Sequence, residues 1–177
     1  LIATILFIPL MPVRKRLSYR AQLCILKELN VWISITAVIF LNGAIFGVYS
    51  YLAEYLASIT KLSDGLISIM LLVYGLANII GNVIAGRLLS NQANRFVVSL
   101  PFVLIGVYIM LFYLGQFTMP MAFIILAWGV LAGAGANINQ YWITSAAPHV
   151  PDFANGLFLV ATNLGTSMGA VICGFFI

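Results

Sequence analysis

The chain has 177 residues, of which 63% are hydrophobic and only 7% are charged, whereas about a quarter of the residues are charged in an ordinary soluble domain. This composition excludes a water-soluble fold, because too little polar surface is available to cover a globule, and it excludes intrinsic disorder, which needs the opposite composition. The mean hydropathy of +1.12 and the long continuous apolar runs indicate an all-α polytopic membrane protein.

The formal net charge of +4 does not indicate a nucleic-acid partner. Most of the basic residues lie in one short stretch beside apolar segments, and no basic face interleaved with aromatic residues appears elsewhere. Such a stretch is typical of a cytoplasmic loop that contacts anionic lipids. Its residues are Arg14, Lys15, Arg16, Arg20 and Lys27.

The first residues, 1–12, are apolar and precede the basic stretch, which is the reverse of the order in a signal peptide. We interpret 1–12 as the end of a transmembrane helix and 13–28 as a cytoplasmic linker. A spanning helix needs about 20 mostly apolar residues. The remainder, 29–177, predicts a bundle with spans at about 29–56, 65–89, 96–115, 120–147 and 153–177. Because the last run reaches the final residue without a polar cap, we expect a truncated bundle from a longer protein.

Gly, Pro and polar clusters predict the connections between these spans. They are SITKLSDG (58–65), SNQANR (90–95), GQFTMP (115–120) and PHVPD (148–152). If the connections alternate across the membrane, seven of the eight basic residues share one side and Lys61 lies opposite. The positive-inside rule assigns the shared side to the cytoplasm.

Amide and aromatic side chains recur at helical spacing inside the predicted spans. Asn42, Phe46 and Tyr49 share one face of their span, and Asn78 lies in a stripe with Tyr74 and Asn82. Polar groups in hydrocarbon usually face the bundle interior, so these residues predict a cavity lining. The alternative for each is a hydrogen bond to a neighbouring helix or a place in the aromatic belt at the membrane surface.

Asn137 and Gln140 are three residues apart and lie well inside the fourth complete span, so their side chains can contact the same ligand. Small residues form further stripes, which predict close helix packing. The glycines of these stripes are Gly81, Gly129, Gly133, Gly165 and Gly169.

No catalytic constellation is visible in the sequence. The chain has a single histidine, His149, which we interpret as a solvated loop residue, and it lacks an HExxH motif and any cluster of metal ligands. The acidic residue nearest to a span is Glu54, at the outer end of its helix. We therefore expect neither an enzyme nor a bound metal or cofactor.

The segment GNVIAGRLLSNQANR, from Gly81 to Arg95, resembles the degenerate C-terminal copy of the signature loop of the major facilitator superfamily. In the N-terminal copy of that loop an Asp stands where this chain has Gly86. The segment PDFANGLFLVATNLGTSMG, from Pro151 to Gly169, is similar to the eleventh helix of the drug and sugar efflux branch, the arabinose-type efflux permeases. The resemblance implies that the chain covers the end of helix six, the central cytoplasmic linker and helices seven to eleven, within the C-terminal half.

What the resemblance implies about function is a secondary transporter that binds its solute between two six-helix halves. The solute would be a small organic molecule, a sugar or a drug, exported by proton antiport across the plasma membrane, the inner membrane of a bacterium. The N-terminal half of the same protein would be the missing partner. Because no carboxylate lies deep within the apolar runs, we expect the titrating group of a proton-coupled protein to lie in the portion outside this chain. The substrate-side residues implied are Asn42, Phe46, Tyr49, Asn78, Asn137 and Gln140, and the cytoplasmic gate is Gly86, Arg87 and Arg95. The alternative is a non-transporting membrane receptor or assembly subunit whose polar residues only join helices.

Overall fold

The computed structural model describes residues 19–176, and every regular element in this part of the chain is helical. Four of the helices are long and apolar enough to cross a membrane, so the prediction of an all-α polytopic membrane bundle is confirmed. In chain order the helices are α1 (Tyr19–Cys24), α2 (Leu29–Ser50), α3 (Leu52–Ser58), α4 (Asp64–Leu114), α5 (Thr118–Ala146) and α6 (Pro151–Gly174), with a 3-10 turn at Ile25–Lys27.

The predicted connection 90–95 is where the chain turns between two helices. Helix α4, Asp64–Leu114, consists of two helical segments that meet at Gln92, whose backbone angles (φ −143°, ψ 46°) are not helical. The turn therefore lies inside the polar segment SNQANR. The predicted spans 65–89 and 96–115 are thus the two arms of α4, which we call the first arm (64–91) and the second arm (93–114).

The two arms of α4 lie side by side. Tyr74 in the first arm and Tyr108 in the second both contact the indole ring of Trp128, with ring centroids 5.3 and 5.8 Å apart respectively. A straight helix of this length would separate the two tyrosines by about 50 Å. The kink at Gln92 therefore reverses the chain, as a loop would.

Some helix ends differ from the predicted ends of the spans by a few residues. The span predicted at 29–56 ends at Ser50, because Tyr51 leaves helical geometry and α3 begins after it. Helix α6 begins at Pro151 rather than 153, since proline suits the first turn of a helix. Within the predicted linker, α1 and the 3-10 turn occupy 19–27. The predicted helix end at 1–12, the linker residues 13–18 and Ile177 lie outside the described residues.

The long helices associate in two pairs. Helix α4 packs along α5, helix α2 packs along α6, and the two pairs meet mainly between α2 and α5. The core between them contains Trp128, Ile45 and Leu52, each at most 1% exposed. The outward faces of the helices carry exposed apolar residues such as Phe40 and Phe102, as expected for surfaces that face lipid.

Glycines lie where α4 and α5 come closest. Side chains added at Gly81, Gly129 and Gly133 would each meet a backbone carbonyl of the facing helix. At Gly129, for example, an added Cβ would lie 2.6 Å from the Tyr74 carbonyl oxygen. Small residues at these positions allow the two backbones to approach each other closely.

A second glycine contact joins α2 and α6. A Cβ at Gly165 would lie 2.6 Å from the Ile39 carbonyl oxygen, and one at Gly169 would overlap the Gly43 carbonyl. On the facing helix, a Cβ at Gly47 would lie 2.7 Å from the Gly169 carbonyl oxygen. The sequence analysis did not single out Gly43 and Gly47, although their GxxxG spacing was a visible signal for close helix packing.

Candidate solute-binding site

Three asparagines form a hydrogen-bonded row between α4 and α5, which we call the amide ladder (Asn78, Asn82 and Asn137). Asn137 Nδ2 donates to Asn82 Oδ1 at 2.7 Å and to the Gly133 carbonyl at 3.1 Å. Asn82 Nδ2 in turn donates to the Asn78 carbonyl at 2.9 Å and to Asn78 Oδ1 at 3.1 Å. The close approach of the two helices at their glycines brings these short side chains within reach of one another.

The amide ladder lies on the surface of the bundle, because Asn82 is exposed and Asn78 and Asn137 are half-buried. Beside it, Gln140 Nε2 donates to Asn155 Oδ1 at 3.2 Å, which joins α5 to α6. Both of these residues are exposed. We call the five residues together the amide face. Asn155, which stands early in α6, is not among the residues predicted from the sequence.

The amide face is polar but carries no charge. Its five side chains are all carboxamides, which supply hydrogen-bond donors and acceptors in equal measure. A row of exposed amides within helices of membrane-spanning length would be costly against lipid. This face is therefore suited to contact water, a polar solute or another part of the protein.

Asn42 lies elsewhere, in the buried interior. Its Nδ2 donates to the Thr162 carbonyl and to Thr166 Oγ1, both at 2.7 Å, and its Oδ1 accepts a bond of 3.2 Å from Asn139 Nδ2. These bonds join α2, α5 and α6, so the observed contacts of Asn42 are those of the alternative, interhelix role. The structure does not bring Asn42 to the amide face.

Asn139, which the sequence analysis also missed, is fully buried. Its Oδ1 has no hydrogen-bond partner among the described residues. In the sequence Asn139 stands between Asn137 and Gln140. The direction in which each position faces around the helix axis is the signal that could have distinguished the three residues. Neighbours two residues apart point to nearly opposite sides.

Phe46 and Tyr49 belong to an aromatic cluster between α2, α4 and α5, together with Tyr74, Tyr108 and Trp128. Phe46 contacts Tyr49 edge to face, with ring centroids 6.3 Å apart, and Tyr49 stacks on Tyr74 at 4.6 Å. Trp128 is completely buried at the centre. Within the described part of the chain, neither the Tyr74 hydroxyl nor Trp128 Nε1 has a hydrogen-bond partner. The sequence analysis did not select Trp128, since a lone tryptophan in an apolar run has no distinguishing spacing.

The predicted gate residues lie on the exposed surface of α4. An added side chain at Gly86 would meet no atom within 4 Å, and Arg87 and Arg95 are both exposed. An open cavity of about 600 Å³ is lined by residues 89–95 and Tyr141. The structure thus brings Arg95 beside α5 at the kink, whereas Gly86 and Arg87 do not line this cavity.

A second cavity, of about 570 Å³, lies where the ends of α2, α4 and α6 meet α3. Its walls are mostly apolar, with Glu54, Tyr51 and Tyr55 among them. The two tyrosine hydroxyls already donate to the backbone carbonyls of Ala170 and Leu111. A search of residues 19–176 finds no group of three or more His, Cys, Asp or Glu side chains that could hold a metal ion.

Comparison with known proteins finds relatives among bacterial proteins. A Helicobacter pylori protein named "Probable sugar efflux transporter" is 26% identical over 145 residues, which are 82% of this chain and 37% of the relative. The Escherichia coli "Inner membrane transport protein YdhP" is 24% identical over 159 residues, which are 90% of this chain and 41% of that relative.

A third relative, from Pseudomonas aeruginosa, is named "Transcription regulatory protein OpdE" and is 25% identical over 130 residues, which are 73% of this chain and 32% of the relative. The chain thus spans roughly a third to two fifths of the length of these relatives. No solved structure matches it significantly.

The model of the Major Facilitator Superfamily matches residues 1–176. The match extends over both segments that carry the resemblance, over the amide ladder and over all four long apolar helices. The chain is therefore part of an integral membrane protein, and it belongs to the major facilitator superfamily.

Proposed function

We propose that the full-length protein that contains this chain is a secondary transporter, and that the amide face forms part of its solute-binding site. The observation that carries the proposal is the row of uncharged amides, three exposed and two half-buried, on α4, α5 and α6 within an otherwise apolar bundle. In the full-length protein, such a face would line a water-filled path between two halves of a transporter.

The transported solute in this proposal is a small organic molecule, a sugar or an amphipathic drug. The amide face carries no ionised side chain, so it suits neutral groups better than ions. The name of the Helicobacter pylori relative supports export as the direction of transport. The name of the Escherichia coli relative supports a bacterial inner membrane as the location.

We place this chain in the C-terminal half of the transporter, with 13–28 as the linker between halves and the cavity beside Arg95 and Tyr141 as part of the cytoplasmic gate. Proton antiport would need a titrating group in the solute path. The amide face has no acidic residue, so we assign that group to the N-terminal half.

A second candidate function is a membrane receptor or assembly subunit that transports nothing. Two observations favour it. The polar contacts of Asn42 and Asn139 join helices, and the Pseudomonas aeruginosa relative is named a regulatory protein. In this case the amide face would contact another protein segment.

The discriminating experiment measures efflux from cells that express the full-length gene product. Cells are loaded with a labelled pentose, a labelled thiogalactoside or a cationic dye, and export is followed with and without a proton uncoupler. We expect uncoupler-sensitive export, which Asn137→Ala abolishes at normal membrane abundance. Asn163→Ala is the matched control, because within residues 19–176 that exposed amide donates only to the Leu159 carbonyl of its own helix. Absence of export for every solute, despite correct membrane insertion, would favour the receptor function.

A further inference from the structure

The three amides of the ladder have fixed orientations. Asn82 Nδ2 lies 2.9 Å from the backbone carbonyl of Asn78, and Asn137 Nδ2 lies 3.1 Å from the backbone carbonyl of Gly133. A backbone carbonyl can only accept a hydrogen bond, so in both cases the nitrogen of the carboxamide must face it. The oxygen of each amide consequently points the other way.

This arrangement leaves one carboxamide nitrogen and one carboxamide oxygen without a partner. Asn82 Oδ1 accepts from Asn137 Nδ2, and Asn82 Nδ2, which can only donate, lies against the backbone carbonyl and Oδ1 of Asn78. Within residues 19–176, Asn137 Oδ1 and Asn78 Nδ2 then have no hydrogen-bond partner. Both belong to half-buried residues on either side of the exposed Asn82. The ladder therefore offers an unpaired oxygen that accepts and an unpaired NH2 group that donates, at a surface without charge.

The ligand group that complements such a surface is a hydroxyl, which donates and accepts at once. An ammonium group only donates and would leave Asn78 Nδ2 unpaired, whereas an ether or ester oxygen only accepts and would leave Asn137 Oδ1 unpaired. An unpaired polar group that loses its water on binding lowers affinity. A neutral solute with several hydroxyl groups satisfies both atoms.

We propose that the amide ladder is a hydroxyl-recognition subsite for a neutral polyhydroxylated solute, and that Asn82 is the positioning residue that holds Asn78 and Asn137 in the required orientations. The proposal rests on the transporter function proposed above and narrows its solute class. Gln140 and Asn155 do not supply the same selectivity. Their single bond joins two side-chain amides, both of which can turn over and still form a bond.

The test uses the purified full-length protein in proteoliposomes and measures exchange of a radiolabelled pentose, hexose or thiogalactoside, their singly deoxygenated analogues, and a cationic dye. The wild-type protein should discriminate about tenfold against at least one deoxygenated analogue. Asn82→Ala should raise KM for the parent solute about tenfold and remove most of this discrimination, with a smaller effect on kcat. Asn163→Ala should change neither.

The near-isosteric Asn82→Asp provides a second variant in case Asn82→Ala fails to fold. A carboxylate still accepts from Asn137 Nδ2 but cannot donate to Asn78, so Asn78 should turn its nitrogen towards position 82 and present its oxygen to the solute. Competition by amine-bearing solutes should then increase relative to neutral ones. Detergent melting curves for each variant separate this change from loss of fold.

The outcomes separate the two proposals. Wild-type KM and discrimination in Asn82→Ala would overturn the subsite, and so would unchanged selectivity in a folded Asn82→Asp variant. Exchange of the dye without exchange of any hydroxylated solute would overturn the subsite while leaving the transporter function standing. Exchange of no solute would overturn both.

Discussion

Replacement of Gly81 by alanine tests the close packing of α4 on α5. A Cβ at this position would overlap the backbone carbonyl oxygen of Val130 and lie 2.9 Å from its Cα, whereas ordinary van der Waals contacts begin at 3.4 Å. The obstacle is helix backbone, which cannot turn aside as a flexible side chain could. The two helices must therefore separate locally by about 1 Å or more.

The expected magnitude follows from a comparison with Gly75, on the same arm of α4. A Cβ at Gly75 would meet no atom within 4 Å, and alanine is about 0.5–1 kcal/mol more favourable than glycine in a helix interior. At Gly81 the same methyl group overpacks the interface, which costs about 1–3 kcal/mol. Because the helix-propensity gain is common to both positions, the unfolding free energies of the two variants should differ by the overpacking cost, about 1–3 kcal/mol.

The assay is thermal unfolding of the full-length protein in detergent, followed by the fraction that remains monodisperse in size-exclusion chromatography. Gly75→Ala should melt at or above the wild-type temperature and Gly81→Ala clearly below it. If Gly81→Ala melted at the same temperature as Gly75→Ala, the two helices would not approach each other as the structure has them, and the geometric basis of the amide ladder would be lost.

Four further substitutions have clear expectations. Tyr74→Phe removes a buried hydroxyl that has no partner among residues 19–176, so it should leave the melting temperature unchanged or raise it. Tyr108→Phe breaks a 2.7 Å hydrogen bond to a backbone carbonyl of α2 and should cost about 0.5–1.5 kcal/mol of stability. A larger loss of stability in Tyr74→Phe than in Tyr108→Phe would contradict this order. Asn42→Ala should lower the melting temperature, with a cost of about 1–3 kcal/mol because buried partners lose their bonds, and an effect no larger than that of Asn163→Ala would refute the interhelix role. Gln140→Ala should reduce solute exchange at an unchanged melting temperature, and unaffected exchange would remove this residue from the site.

The helical class and the approximate spans were predictable because they depend on local properties. A run of about 20 apolar residues has few alternatives to a membrane helix, and the four long helices follow the runs identified in the sequence. The reversal at Gln92 lies inside the connection predicted at 90–95, because a short polar segment between two apolar runs indicates a turn at the membrane surface.

The sequence was sufficient to identify the packing glycines and the amides, but not the residues that each of them contacts. Spacing alone put Gly165 and Gly169 on one stripe, but only the structure shows that this stripe faces Gly43 and Gly47. Similarly, Asn42 and Asn137 have the same chemistry and occur at similar depths within apolar runs. What distinguishes them is the neighbouring helix, and a single sequence contains no direct information about which helices are neighbours.

Helix α5 shows how packing and the candidate site depend on each other. Gly129 and Gly133 press against α4 and fix the rotation of α5 about its axis. That rotation directs Asn137 towards Asn82 on the exposed side, and it directs Asn139, two residues further on, towards Asn42 in the interior. Because Gly81 directly precedes Asn82, a separation of the helices at Gly81 should weaken the Asn82–Asn137 bond as well as the packing. Gly81→Ala should therefore lose solute selectivity and thermal stability together, whereas Asn82→Ala should lose selectivity with a much smaller change in melting temperature.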